Sequence, residues 1–182
     1  VAPYLLPRIL AAFAKAHPEI SVNVQEDLTQ SLLSKLVAGD LDLALLSMPV
    51  KRPEFVAQPL FNEKMLLAVP SRHRFWRRRR PVSFGEVADE PFLLLKDGHC
   101  FRDDVLRVCK RCRLNPHVVF EGGQFDTLMA MVAAGAGVTL LPEMARSHYR
   151  RADVGLLQFL HQQPARTIGF ARHKEKFLTP AA

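Results

Sequence analysis

Cysteine is scarce in this 182-residue chain, which holds only three. Cys100, Cys109 and Cys112 are too few and too clustered for the disulfide framework of a small secreted domain. An odd number of closely spaced thiols points instead to redox chemistry, a metal or plain burial. Long apolar runs are missing too. The longest are strand-sized, which excludes a membrane-spanning helix, and no membrane partner is expected. The opening residues, VAPYLLPRILAAF, lack a basic start followed by an uninterrupted apolar core. No signal peptide is therefore expected, a cytoplasmic location is, and the chain opens inside a structural element as a fragment does. The glycines of Gly135-Ala136-Gly137 precede a strand, whereas a dinucleotide fingerprint follows a strand and opens a helix, so no nucleotide or other cofactor is expected. Helix-turn-helix, zinc-finger and RNA-binding motifs are absent, as are internal repeats.

What is present is an ordinary globular composition, 48% hydrophobic and 24% charged, long enough for one large domain or two small ones. The net charge of +7 suggests nucleic acid, but five of the 25 basic residues sit in one run, Arg74 and Arg77 to Arg80, beside Phe75 and Trp76. This run reads as a solvated connecting segment. An element that reads DNA is expected outside this chain.

Helix-like and strand-like segments alternate almost throughout. Apolar residues recur at helical spacing over 4–17, and Ile20 to Gln25 alternates as a half-buried strand does. Thr29 opens a second helix that Gly39 ends, and Leu41 to Leu46 reads as a buried parallel strand. Two strands are expected near Phe55–Leu60 and Met65–Val69. After the basic run, Ser83 caps a short helix, Phe92–Leu95 is a strand, and Cys100–Arg113 is a helix. A strand at His117–Phe120, a helix at Phe125–Ala134, a strand at Val138–Leu141 and a helix opened by Pro142 follow. Leu156–Leu160 and Thr167–Ala171 are strands that return to the first half. The alternation implies an α/β fold with parallel sheets, in two subdomains flanking a cleft. Residues 1–70 with 150–182 form the first subdomain, and residues 71–149 the second.

Several segments carry a family resemblance. Gly39-Asp40-Leu41-Asp42-Leu43-Ala44-Leu45 resembles the glycine–aspartate strand motif of LysR-type effector-binding domains, and the stretch from Met131 to Pro142 resembles their second-subdomain signature. Asp97-Gly98-His99-Cys100-Phe101-Arg102-Asp103, followed by Cys109, is more specific. It resembles the redox loop of the OxyR group within that family. Likeness extends through Pro3 to Pro7, Pro59-Leu60-Phe61, Leu66-Leu67-Ala68 and Arg166-Thr167-Ile168-Gly169, and so over nearly the whole chain.

The resemblance implies two Rossmann-like subdomains joined by crossover strands, a periplasmic-binding-protein-like fold. It implies a peroxide sensor rather than an enzyme: Cys100 reacts with hydrogen peroxide and Cys109 is the disulfide partner. It places Thr29 and Arg166 in the peroxide pocket with His99, Arg102 and Asp103. It implies a homodimer of this domain within a homotetramer, a winged helix-turn-helix upstream that binds promoter DNA, a contact with RNA polymerase, and a reductant such as glutaredoxin or thioredoxin.

The residue types suit that chemistry. Peroxide reacts with thiolate, and Cys100 at a helix start meets unpaired N–H groups and the positive end of the macrodipole. Asp97 is placed to cap that helix, and His99 and Arg102 flank the sulfur in sequence. On one continuous helix, however, residues 100 and 109 are separated by roughly 13 Å along the axis and point to nearly opposite faces. A disulfide needs Cα atoms within about 7 Å. Either the pair never bonds, or bonding unwinds residues 101–109. Cys112 lies outside the OxyR pattern and makes Cys109-x-x-Cys112, which suggests a competing thiol or a metal site with His99 or His117. A second ligand pair for structural zinc is missing, so no metal is expected. The alternative functional class is a LysR-type effector domain holding a small organic ligand in the cleft without redox switching. A thiol peroxidase and a free-standing solute-binding protein are further readings.

Overall fold

The computed structural model describes residues 2–149 and 153–176. The helical spacing near the start forms α1 (Ala2–Ala16), and Thr29 opens α2 (Thr29–Ala38). α2 buries Leu33 and Leu36 and ends at Gly39, whose φ of 84° is the left-handed conformation that glycine adopts without a Cβ penalty. The chain continues through β1 (Ala44–Ser47), β2 (Phe55–Pro70), α3 (Arg74–Arg77), α4 (Phe84–Val87) and β3 (Pro91–Leu95). Then come α5 (Cys100–Arg111), β4 (His117–Gly122), α6 (Phe125–Ala133), β5 (Thr139–Pro142), a 3-10 turn at Glu143–Ala145, β6 (Val154–Leu157) and β7 (Ala165–His173). The α/β fold class expected from the alternation is the one observed.

The sheets depart from expectation in direction. Strands β1, β7, β2 and β5 lie in that order, β6 also pairs with β2, and every one of these pairings is antiparallel. β1 is thus an antiparallel strand beside β7 and not the parallel strand read at Leu41–Leu46. The cause is long-range: β7, from the far end of the chain, inserts between β1 and β2. Among the named strands of the described residues, β3 and β4 alone form a parallel ladder, bridged by α5, with single parallel bridges at Val82–Phe159 and Phe92–Val138. The two strands expected between Phe55 and Val69 are one continuous strand, irregular between Pro59 and Phe61, and its two halves pair with different partners. Ile20 to Gln25 joins no sheet; its alternating apolar side chains line the cleft instead.

Two apolar cores result. A small one joins Leu33 and Leu36 of α2 to Ala44, Leu46, Met48, Phe55 and Ala171. A larger one packs α5 and α6 against β2, β3, β5 and β6. Ser83 caps α4 in a complete capping box with Glu86, as expected. The basic run is more structured than a connector. Phe75 is fully buried, while Arg74 pairs with Glu90, and Arg78 and Arg80 pair with Glu86. Pro142 precedes a single 3-10 turn rather than a full helix. No helix among the described residues is long and apolar enough to cross a membrane.

At Gly169 on β7, a Cβ would collide with the Gln58 carbonyl oxygen and meet two Met48 carbons at 3.0 Å. Gly169→Ala is expected to cost about 1–3 kcal/mol by overpacking, lowering Tm by about 2–4 °C per kcal/mol. Gly85→Ala, where nothing lies within 4 Å, should leave Tm unchanged or slightly raised in the same thermal melts.

Candidate functional site

A cleft of about 1110 Å³ runs between α1, the segment before α2, the residues leading into β1, and the N-terminus of α5. Thr29, His99, Cys100, Phe101 and Arg166 all line it. Thr29 is the first residue of α2. The turn before it is fixed by Asp27, whose carboxylate accepts from Ser31 Oγ, from Lys35 Nζ at 3.0 Å and from the Leu28 N–H at 2.8 Å. These bonds hold the Asp27 pKa down to about 2.

Cys100 is the first residue of α5 and a half-buried free thiol. Its neighbour His99 is the residue that precedes the helix, and no side chain caps this terminus. Asp97 therefore does not cap α5 as expected. It is highly exposed and accepts from Arg102 Nε at 2.7 Å. Arg102 also donates to the Leu95 carbonyl at 2.9 Å and to Glu121 Oε1 at 2.6 Å. Its guanidinium thus fastens the loop before α5 to β3 and β4, and it is not among the residues lining the cleft. Asp103 is exposed on the first turn of α5 and does not line it either.

Arg166 is placed by strand register. Glu63 on β2 is its cross-strand partner on β7, and Glu63 Oε2 accepts from Arg166 Nη2 at 2.7 Å. Both are buried, as is Asp104 of α5, which lies 3.5 Å from Arg166 Nη1. The guanidinium also lies 4.9 Å from the centre of the Phe101 ring, one residue beyond Cys100. Asp104 accepts further from Ser47 Oγ and from Arg107 at 2.8 Å, while Glu63 accepts from the Met144 N–H at 3.1 Å. This network docks α5 onto β1, β2 and β7. Sequence reasoning named Asp103 and missed Asp104 and Glu63. The available signal was helical spacing: Phe101, Asp104, Val105 and Val108 share one face, and an acid on an apolar face requires a buried partner.

Cys109 is 1% exposed, and burial, reinforced by nearby Cys112, pushes its thiol up to about 11. Cys112 is half-buried just past the end of α5. All three thiols are free. The cleft also holds a hydroxyl relay, in which Tyr4 donates to Tyr149 at 3.3 Å and Tyr149 donates to Asp126 at 2.8 Å. Burial raises the pKa of both phenols.

The LysR substrate binding domain family matches residues 1–182. The DNA-binding transcriptional dual regulator OxyR of Escherichia coli K12 is 38% identical over 170 residues, covering 93% of this chain and 55% of that protein. A probable hydrogen peroxide-inducible genes activator of Mycobacterium avium is 37% identical over 171 residues, again 93% of this chain and 55% of that protein. Among solved structures, a hydrogen-peroxide-bound mutant of Corynebacterium glutamicum OxyR matches with a TM-score of 0.90 at 29% identity, over 96% of this chain and 56% of that one. Reduced OxyR of N. meningitidis matches with a TM-score of 0.87 at 29% identity, over 100% and 84%. This chain spans about half the length of the curated relatives it matches.

Two outcomes follow from the geometry. Arg166→Met leaves Glu63 buried without its countercharge, while Asp104 keeps Arg107, and is expected to cost about 3–5 kcal/mol in urea unfolding. In the native protein at pH 8, iodoacetamide should modify Cys100 and leave Cys109 untouched, read by peptide mass spectrometry. Because the folded Cys109 pKa lies above the ordinary 9.0, its contribution to stability is complete below pH 9 and drains away as pH rises toward about 11.

Proposed function

We propose that this chain, which belongs to the LysR substrate-binding domain family, is the hydrogen-peroxide-sensing regulatory domain of a transcriptional regulator. One observation carries the reading: Cys100 stands at the N-terminus of α5 in the cleft wall, in company with Thr29, His99 and Arg166. The helix terminus supplies unpaired N–H groups and a positive potential to the sulfur. The Thr29 hydroxyl and the His99 ring offer hydrogen bonds to peroxide. Arg166, neutralised by Glu63 and Asp104, shapes the floor through Phe101.

The Cys100 thiolate attacks one peroxide oxygen. The O–O bond breaks, Cys100 becomes a sulfenic acid, and hydroxide leaves. The Cys109 sulfur then attacks the sulfenic sulfur; an S–S bond forms, the S–O bond breaks, and water carries away the oxygen and the thiol proton. The second step is impossible across an intact α5, on which residues 100 and 109 stand roughly 13 Å apart. Bonding therefore unwinds residues 101–109, and the shape change is the signal. On this reading the domain pairs as a dimer within a tetramer, the full protein binds promoter DNA through a winged helix-turn-helix and contacts RNA polymerase, and a glutaredoxin- or thioredoxin-type reductant restores the dithiol. The larger apolar core draws on both proposed subdomains, taking Met65, Leu67 to Val69, Val154, Leu157 and Phe159 along with α5 and α6, while β7 returns to pair with β1 and β2.

The breadth of the cleft favours one second reading, an organic effector held between the subdomains without redox switching. The two readings separate on one variant. After one equivalent of hydrogen peroxide, the Cys112→Ser protein should yield a Cys100–Cys109 linked peptide by mass spectrometry, and Cys100→Ser should abolish the response of the full-length regulator. A full response in Cys100→Ser sinks the peroxide reading and leaves the effector.

A further inference from the structure

Cys112 is the thiol the proposed switch does not use, and α5 places it differently from Cys100. Residues three apart on an α-helix have Cα atoms roughly 5 Å apart, from three rises of about 1.5 Å on a cylinder of about 2.3 Å radius. That falls inside the window of about 4.4–6.8 Å that a disulfide requires. The spacing holds here, because α5 is helical to Arg111 and the Cys112 N–H bonds the Cys109 carbonyl at 3.1 Å and that of Val108 at 3.0 Å. Cys112 also packs partly against the core cluster that contains Cys109. Cys112 has already left helical geometry (φ −91°, ψ 10°), and only a Cβ separation of about 5–6 Å must close to about 4 Å. Cys109 thus has one neighbouring thiol that adjustment of the last turn alone brings into bonding distance, and another, Cys100, that it reaches only after unwinding the whole segment.

We propose that Cys109 and Cys112 form a second disulfide site, filled by thiol–disulfide exchange, which returns the domain to its helical shape without an outside reductant. This rests on the peroxide-sensing reading above. The Cys112 thiolate attacks the Cys109 sulfur of the Cys100–Cys109 bridge. The Cys109–Cys112 bond forms as the Cys100–Cys109 bond breaks, and its electron pair leaves on the Cys100 sulfur, which takes up the proton Cys112 gave up. No oxidant or reductant is consumed, and one free thiol is present before and after; only its position changes.

The direction is set by α5. While Cys100 and Cys109 are bridged, residues 101–109 cannot be helical. Once Cys109 is bonded to Cys112 that tie is gone, so α5 can re-form and rebury Phe101, Val105 and Val108, each 5% exposed or less. The bridged, signalling shape is then a transient one, and Cys100 is restored to the cleft as a thiol ready for a second peroxide.

The test is a time course of linkage. The protein receives one equivalent of hydrogen peroxide without reductant, is quenched in acid, alkylated and digested with trypsin, which cuts after Lys110 and Arg111 and so separates the Cys109 and Cys112 peptides. The wild-type chain should show the Cys100–Cys109 link first, then its loss, with gain of a Cys109–Cys112 link and of alkylated Cys100. In Cys112→Ser the first link should persist. A wild-type chain that keeps the Cys100–Cys109 link with Cys112 alkylatable throughout overturns the exchange and leaves the sensor intact. A Cys109–Cys112 link formed equally fast in Cys100→Ser overturns it too, because oxidation then needs no relay. Absence of the first link from Cys112→Ser contradicts the sensing reading itself.

Discussion

Helix α5 is a rigid spacer that holds Cys100 at its first residue and Cys109 in its last turn, and the proposed switch depends on what holds that spacer in place. Its N-terminus opens into the cleft at Cys100, while its other end buries Cys109 among Val105, Val108 and Leu114 in the larger core. Between them Asp104 reaches Arg107 on its own helix, Ser47 on β1 and Arg166 on β7, and so ties the helix to two strands. An unbroken helix fixes the distance between its ends, so the reduced fold itself keeps the two sulfurs from bonding.

Unwinding α5 is expensive. Phe101, Val105 and Val108 represent about 1.5–3 kcal/mol each in buried apolar surface, and Asp104 would leave a network in which its charge is paired. A proposed switch built on this helix therefore cannot simply melt it; the freed apolar side chains must find new burial, within the domain or against a second copy. Arg166 would soften the proposed transition. Its shorter bond is to Glu63 at 2.7 Å, with Asp104 at 3.5 Å, so the guanidinium keeps a countercharge when α5 departs.

Local pattern was enough to locate most elements: helical spacing marked α1, α2, α5 and α6, and Ser83 marked the start of α4. Strand direction was not legible, because it depends on β7 inserting between β1 and β2 from more than a hundred residues away. The same distance hid Glu63, whose only cue is its cross-strand register with Arg166. Cys100, Thr29 and His99 fell together because each sits at a helix start facing one cleft. Arg102 did not, since adjacency in sequence places a side chain beside its neighbour only when no stronger acceptor competes, and here Leu95, Asp97 and Glu121 do.

The claim that oxidation acts by breaking α5 is tested most directly by hydrogen exchange on the Cys112→Ser protein, before and after one equivalent of hydrogen peroxide. Amides of residues 101–109 report whether the helix survives. The account predicts strong protection when reduced and its loss over that segment when Cys100 and Cys109 are bridged, with β2 and β7 unchanged. A bridged protein whose 101–109 amides stay as protected as before would contradict it.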